Sequence, residues 1–208
     1  MRIPKTATVI ISIVTGIAWL LVAFLGRDNW AAMTLGFIPI RLSGLPTLYP
    51  AAPAWLTPLS STFVHGGALH VALNLLMLLW CGSKVERILG PGPLVLLYVT
   101  GAFTAAIAQW LASPMSPTPM IGASGAISAV IGAFALSFGQ QKRIVSSPSL
   151  NRSLNAMWLL AAWVVLQMMT GLLAGTQGYL LATPAHIGGF VAGLLLQRPL
   201  LLWRYRNA

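Results

Sequence analysis

Stretches of about 20 mostly apolar residues recur along this chain of 208 residues. A helix needs roughly 20 residues to cross the hydrocarbon core of a bilayer, and it satisfies its own backbone N–H and C=O groups there. Six such stretches are predicted to be transmembrane helices, at about residues 7–25, 65–81, 94–111, 121–138, 154–173 and 184–202. The pattern predicts an all-α membrane protein, with residues 1–208 forming one domain, a compact bundle of six transmembrane helices.

Composition excludes the main soluble classes. Hydrophobic residues make up 57% of the chain and charged residues 7%, against roughly 25% charged in ordinary globular proteins. A soluble protein of this kind would lack the polar surface it needs. The net charge is +10, but the cations are spread through apolar sequence without a basic stripe, so nucleic-acid binding is not expected. The single cysteine, Cys81, excludes an intramolecular disulfide and a cysteine-based metal site.

Two connecting segments have distinct character. The outer loop at residues 26–64 is rich in Pro and Gly, and its apolar runs, such as residues 33–40, are too short to span. We expect this loop to lie in the membrane interface or to pack on the bundle. Residues 82–90 are predicted to form a short charged turn.

The first apolar stretch lacks a persuasive cleavage site, so we expect it to remain as an uncleaved span.

The distribution of cations predicts the orientation. Ten of the twelve Lys and Arg residues fall in the two terminal segments and in the connections at 82–93 and 139–153. Only Arg27 and Arg41 fall on the other side of the six predicted spans. The positive-inside rule therefore places both termini in the cytoplasm. The compact six-span form is typical of a protein of the bacterial inner membrane.

Polar side chains within the spans fall at one depth. With this orientation, the second span carries His65, His70 and Asn74 in its outer half. Ser124 lies about one turn into the fourth span, and His186 near the outer end of the sixth. Since polar residues inside a membrane are costly, they are functional hypotheses by default. The five side chains are predicted to surround one cavity in the outer third of the bilayer.

Each of these residues also has a purely structural interpretation. A serine in a transmembrane helix often bonds back to its own backbone, and a histidine at a helix end is often simply solvated. His70 and Asn74, at i and i+4, lie about 40° apart on one helical face. That spacing suits two hydrogen-bond donors to a substrate, and it also suits two residues that join helices.

The sequence around Ser124 favours a nucleophile. Gly122-Ala-Ser-Gly125 stands at a helix start, after a proline-containing loop without charges. Flanking glycines allow close approach of a substrate and sharp backbone angles. The first N–H groups of a helix are unpaired and point toward a developing anion. This arrangement provides a nucleophile beside part of an oxyanion hole.

His186 supplies a candidate base. An imidazole can take the proton of a serine and pass it to a leaving amine. Gly189 and Gly193 continue a small-residue stripe from His186, which predicts tight packing of the sixth span on the fourth. The only acids, Asp28 and Glu86, lie in the outer loop and on the cytoplasmic side. The predicted machinery is therefore a serine–histidine dyad without a third, acidic member.

Three segments together resemble the rhomboid intramembrane serine proteases. They are residues 62–74 (TFVHGGALHVALN), 122–127 (GASGAI) and 185–193 (AHIGGFVAG), in the order of that family and on the second, fourth and sixth spans. Glu86, in the Gly82–Gly90 turn, resembles the turn that follows the second helix in the family. The resemblance covers nearly the whole chain.

The resemblance implies a role for each residue. Ser124 would be the nucleophile and His186 the general base, with His70, Asn74 and the Ser124 backbone N–H forming the oxyanion hole. His65 matches a position at the outer mouth of the active site, in a structural or water-retaining role. The implied activity is that of a serine endopeptidase, a hydrolase that cleaves transmembrane segments of other proteins near their outer ends, often after small residues. Its partners are such substrates and the lipid bilayer, and no metal or organic cofactor is implied.

The chain departs from the family pattern at two positions. Ser128, four residues after the nucleophile, stands where family members often carry an aromatic residue that stacks on the base. Trp55 lacks the adjacent arginine that some bacterial members carry in the first outer loop. The first departure leaves the support of His186 open.

Three other functions compete with proteolysis. A catalytically inactive rhomboid-like protein would bind or escort transmembrane helices, but such relatives typically lose the serine or the histidine. A transporter or proton channel would use a polar path through the whole bilayer, often with carboxylates. A metalloprotease is disfavoured because His65 and His70 lie about 140° apart on a helix and no HExxH motif is present.

Overall fold

The structure, a computed structural model, describes residues 6–47, 49–138, 146–173 and 182–206. Within these residues the chain forms α-helices, one 3₁₀ turn (Ser61–Phe63), one π-helical turn (Leu78–Gly82) and no named strand. The helices are α1 (Ala7–Phe24), α2 (Asp28–Leu35), α3 (Pro39–Leu42), α4 (Thr57–Ser60), α5 (Ala68–Met77), α6 (Ser83–Leu89), α7 (Pro91–Ala112), α8 (Ser124–Phe138), α9 (Pro148–Leu173) and α10 (Thr183–Arg204). The predicted all-α class is confirmed.

Four helical segments of the described chain are long and apolar enough to cross a bilayer. They are Ala7–Phe24, Ala68–Leu89, Pro91–Ala112 and Thr183–Arg204. α8 is apolar but has only 15 residues, and α9 has 26. These elements correspond to all six predicted spans, while the number of membrane crossings stays a prediction.

α8 is the centre of the bundle. Every residue from Ser124 to Ala135 is buried, and the helix consists mainly of Gly, Ala, Ser and aliphatic residues. Neighbouring helices therefore surround α8 for most of its length.

Glycines on α10 bring its backbone into contact with that of α8. A Cβ atom on Gly189 would lie 2.1 Å from the Gly125 carbonyl oxygen, and one on Gly193 would lie 2.0 Å from that of Ala129. No larger residue fits at either position unless the helices separate. The predicted tight packing of the sixth span on the fourth is confirmed, and it sets His186, one turn before Gly189, beside the start of α8.

The outer loop packs on the bundle, which is one of the two locations that the sequence predicted for it. Phe37 is fully buried and exchanges two backbone hydrogen bonds with Met120, of 3.0 and 2.7 Å. The Trp110 indole donates to the Ser43 hydroxyl at 2.9 Å, and that hydroxyl donates to the Pro114 carbonyl at 2.8 Å. The loop is thereby fixed to the connection that leads into α8.

The predicted charged turn after the second span is wrong. Residues Ser83–Leu89 are helical and continue α5 through the π-helical turn, so one helical segment runs from Ala68 to Leu89. The helix ends at Gly90, whose φ of 85° is in the region that favours glycine. Charged residues suggested a turn because they seemed out of place in a span, but this last part of the helix holds Glu86 in a specific contact.

Glu86 joins α6 to the start of α1. Its carboxylate accepts hydrogen bonds from the N–H of Ala7 (2.8 Å), the N–H of Thr8 (2.9 Å) and the Thr8 hydroxyl (2.6 Å). The first N–H groups of a helix have no intrahelical partner and attract an anion. The Tyr205 hydroxyl donates to the Ile88 carbonyl at 3.3 Å. The start of α1 and the end of α10 therefore lie at the same end of the bundle, beside α6.

Removing the charge of Glu86 is expected to destabilise the bundle. Hydrogen bonds to charged groups contribute about 1.5–3 kcal/mol each, so we expect Glu86→Gln to lower the free energy of unfolding by about 2 kcal/mol. Reversible unfolding in mixed micelles, followed by circular dichroism, measures this change. Arg87→Gln is the control, since Arg87 is the exposed neighbour on α6. Equal unfolding midpoints for the two variants would contradict the stabilising role of the carboxylate.

Candidate active site

The candidate nucleophile lies where a short loop enters α8. The helix begins at Ser124, and two hydrogen bonds fix the loop just before it. The N–H of Gly122 donates to the Ser61 carbonyl at 3.0 Å, and the N–H of Ala123 donates to Nε2 of His65 at 3.3 Å. The position of Ser124 is therefore set by the segment that precedes α5.

Gly122 is required in this loop for two independent reasons. Its φ is +109°, a conformation that residues with a Cβ rarely adopt. A Cβ atom at this position would also lie 2.7 Å from Cε1 and Nε2 of His70. The His70 ring thus packs directly on the backbone of the loop, two residues before Ser124.

The structure brings Ser124 and His186 together. Nε2 of His186 lies 2.9 Å from Oγ of Ser124, although the two residues are 62 positions apart in the sequence. Both are buried, with exposed fractions of 7% for the serine and 6% for the histidine. The distance lies within the range in which a base can take the hydroxyl proton.

No carboxylate completes a triad in the described part of the chain. Nδ1 of His186 is buried and has no hydrogen-bond partner there. Glu86 is bound to α1, and Asp28 is the first residue of α2. These are the only two acids in the sequence. The geometry is that of a two-membered pair.

Helix α8 presents unpaired backbone donors at the same place. Its first bond runs from the N–H of Ile127 to the Ala123 carbonyl at 2.9 Å. The N–H groups of Ser124, Gly125 and Ala126 precede that bond and have no intrahelical acceptor. Such groups are suited to stabilise negative charge that develops beside the serine.

His70 and Asn74 lie one turn apart on α5. The Asn74 side-chain Nδ2 donates to the His70 carbonyl at 2.9 Å, and because this nitrogen carries two hydrogens, one remains for another acceptor. Oδ1 of Asn74 is buried without a partner. The second hydrogen of Nδ2 is therefore available to an acceptor outside the helix.

His65 lies behind the loop. Its ring is only 2% exposed, it contacts the His70 ring edge-on at 5.0 Å between centroids, and its Nε2 accepts the Ala123 N–H. Accepting at Nε2 requires the neutral ring with its proton on Nδ1. The burial of the ring and this hydrogen bond fit the structural role that the resemblance implied for His65, while its place at the outer mouth of the site stays a prediction.

Sequence reasoning missed Trp163. This α9 residue is 2% exposed, its indole N–H donates to Oγ of Ser128 at 2.8 Å, and its ring lies 6.3 Å from that of His186. In the sequence it is one of eight tryptophans, inside a stretch that reads only as a span. The single hint was that Ser128 left the base without an aromatic neighbour.

A pocket lined by small residues opens beside Ser124. Its walls come from the segment before α5 and from α7, α8 and α10. Among the residues that line it are Ala102, Ala105, Ala126, Ala185, Gly122 and Gly125. Pro58, Met120 and Ile121 also belong to the lining, and the free space next to the hydroxyl is about that of one water molecule.

Comparison with known proteins identifies the family of this chain. The protein-family model for the rhomboid domain matches residues 52–203. The chain is 33% identical over 146 residues to RHOMBOID-like protein 4 of Arabidopsis thaliana, covering 69% of this chain and 34% of that protein. It is 39% identical over 79 residues to rhomboid protease GluP of Bacillus subtilis, covering 38% of this chain and 15% of that protein.

A third relative is rhomboid protease GlpG of Serratia proteamaculans, 31% identical over 139 residues, covering 66% of this chain and 45% of that protein. The chain thus matches less than half the length of each of these three relatives. The matched family domain includes the loop before α5 and reaches to the end of α10, so it contains every candidate residue of the site. This chain, a multi-pass integral membrane protein, belongs to the rhomboid family.

Proposed function

We propose that this protein is an intramembrane serine endopeptidase that uses a Ser124–His186 dyad. The observation that carries the proposal is the 2.9 Å contact between Oγ of Ser124 and Nε2 of His186 in a buried site. Two relatives named as rhomboid proteases, GluP and GlpG, support the activity. The reaction is hydrolysis of a peptide bond in a transmembrane segment of another protein.

Acylation begins at the serine hydroxyl. Neutral His186 takes the hydroxyl proton at Nε2 while Oγ bonds to the carbonyl carbon of the substrate, which gives a tetrahedral oxyanion. When the C–N bond breaks, the imidazolium returns the proton to the leaving amine. The products of this half-reaction are the free amine and an ester on Ser124.

Deacylation uses the same base on water. His186 takes a proton from a water molecule as its oxygen attacks the ester carbon, and it then returns the proton to Oγ as the ester bond breaks. The carboxyl product leaves and Ser124 is regenerated. The backbone N–H groups at the start of α8, with His70 and Asn74, are the proposed donors to the oxyanion in both steps.

The pocket beside Ser124 favours a small side chain next to the cleaved bond. Alanine and glycine form much of its wall, so a bulky residue at that position of the substrate would have to displace backbone. We infer cleavage after small residues, near the outer end of a substrate helix, where the polar residues of the site lie.

We further propose that both termini are cytoplasmic and that the membrane is a bacterial inner membrane. Several cations support this orientation. Among the described residues, those near the end of the bundle where α1 begins and α10 ends include Lys84, Arg87, Arg198 and Arg204. Others at positions 2, 5, 142 and 143 lie outside the described residues. An excess of Lys and Arg marks the cytoplasmic side, and it places the site at the outer end.

Loss of either dyad member is expected to abolish cleavage without unfolding the protein. Ser124→Ala and His186→Ala should reduce cleavage of a reporter transmembrane helix in proteoliposomes by at least about 10³-fold, as removal of a nucleophile or base does elsewhere. A serine-reactive fluorophosphonate should form an adduct on Ser124 of the wild type. Peptide mapping by mass spectrometry locates it.

Ser137→Ala is the matched control, since Ser137 is a serine on the same helix, away from the site, whose hydroxyl bonds to the Ala133 carbonyl. It should cleave and label like the wild type. Full cleavage by Ser124→Ala would exclude the dyad. If the wild type neither cleaved the reporter nor labelled at Ser124, the inactive alternative, a protein that binds or escorts transmembrane helices, would be supported.

Loss of an oxyanion donor is expected to lower turnover more than stability. Removal of one such donor typically costs about 2.7–4 kcal/mol of transition-state stabilisation, so His70→Ala and Asn74→Ala should each lower kcat by about 10²–10³-fold. The control is Leu76→Ala, an exposed change on the same helix. Unchanged kcat together with a lower unfolding free energy would show that the residue only joins helices.

A further inference from the structure

The indole of Trp163 is buried, and its single polar group, the N–H, makes one hydrogen bond. Its N–H donates to Oγ of Ser128 at 2.8 Å, and both residues are almost wholly buried, with exposed fractions of 2% and 0%. A buried indole N–H requires an acceptor, and the hydroxyl of Ser128 provides it across the contact between α9 and α8. The orientation of the Trp163 ring therefore depends on Ser128.

Ser128 connects this bond to the nucleophile. Its hydroxyl accepts from Trp163 and donates to the carbonyl oxygen of Ser124 at 2.7 Å. A hydroxyl has one hydrogen, so the two bonds fix the direction in which it points. Position 128 is one helical turn after Ser124, and only a short polar side chain makes both contacts.

The Trp163 ring also contacts the base. Its centroid lies 6.3 Å from that of the His186 ring, with an angle of 69° between the planes. Edge-to-face ring pairs attract at separations of about 4.5–7 Å. Because Nδ1 of His186 has no partner in the described chain, the hydrogen bond at Nε2 fixes only one atom of the ring. The indole supplies a second restraint on the ring plane.

We propose that Trp163, held by Ser128, is a positioning residue for His186. It supplies from α9 the aromatic support that position 128 lacks. Four residues close a circuit. The Trp163 indole bonds the Ser128 hydroxyl, which bonds the main-chain carbonyl of Ser124, while the Ser124 hydroxyl bonds His186 and the His186 ring contacts Trp163. The proposal rests on the proposed Ser124–His186 dyad, and it assigns a function to two residues that do not touch the substrate.

The test compares two changes that break the Trp163–Ser128 bond from either side. Trp163→Phe keeps an aromatic ring but removes the N–H, and Ser128→Ala removes the acceptor. Each has a matched control: Trp158→Phe on the same helix, where the tryptophan is 74% exposed, and Ser137→Ala on α8. Ser137 also donates to a carbonyl four residues back (3.0 Å) and accepts from another helix, from Gln197 (3.1 Å).

kcat and KM are measured for cleavage of a reporter helix in proteoliposomes. Rates are divided by the amount of active enzyme, which is the amount that a fluorophosphonate labels when the labelling reaction is complete. We expect Trp163→Phe and Ser128→Ala each to lower kcat by about 10–100-fold, since a small displacement of a reacting group has costs of that order. KM should change less than about twofold, because the substrate contacts are intact. The controls should keep wild-type kcat.

The double variant gives the sharpest readout. If both residues act through one bond, Trp163→Phe with Ser128→Ala should lose no more kcat than the more impaired single variant. Independent losses that multiply would overturn the proposal. So would wild-type kcat in either single variant, or an equal loss in Ser137→Ala. If Trp163→Phe does not fold, Ser128→Ala decides by the same criterion.

Failure of this proposal is distinguishable from failure of the dyad. A Ser124→Ala variant that cleaves like the wild type would remove the dyad, and with it the base that Trp163 is proposed to position. An inactive Ser124→Ala variant beside fully active Trp163→Phe and Ser128→Ala variants would leave the protease intact. In that case Trp163 contributes packing only.

Discussion

The contact between the backbones of α8 and α10 is the constraint on which the site depends. Gly189 and Gly193 allow α10 to approach α8 so closely that a single methyl group would overlap a carbonyl oxygen. A pair of helices with ordinary side chains between them has axes about 8–10 Å apart. A side chain at either glycine would push the two helices apart and displace His186 from Ser124, so the glycines help to set the 2.9 Å contact.

The two ends of the bundle have separate tasks. At the end that carries Ser124, the main-chain carbonyl of Ser61 and the ring of His65 hold the loop that enters α8, so the segment before α5 fixes the position of the proposed nucleophile. At the other end, Glu86 binds the first N–H groups of α1, and the contact stabilises the arrangement of helices far from the chemistry. Glu86 thus stabilises the fold, and neither of the two acids is bonded to the proposed base, His186.

Much of this arrangement could be predicted because it is local or periodic in the sequence. Apolar stretches located the helices, and the spacing of His186, Gly189 and Gly193 indicated the close packing on α8. The helical continuation through Glu86 was missed because a carboxylate in a span looks unfavourable until its partners on α1 are known. Trp163 was missed because its bond to Ser128 joins positions 35 residues apart, and an apolar span gives no sign of which tryptophan faces the site.

The proposed Ser124–His186 dyad has no carboxylate, so the surrounding residues would have to perform the functions of the missing acid. In a triad the acid both orients the imidazole and stabilises the imidazolium, and here Nδ1 of His186 has no such partner in the described chain. Orientation must then come from packing, which Gly189 provides through the approach of α10 and Trp163 through its edge contact. In the proposed mechanism, the imidazolium is stabilised by the oxyanion that forms at the same moment, which the unpaired N–H groups at the start of α8 would hold. The departure at Ser128 fits this scheme, since a hydroxyl there ties the aromatic support to the helix that carries the nucleophile.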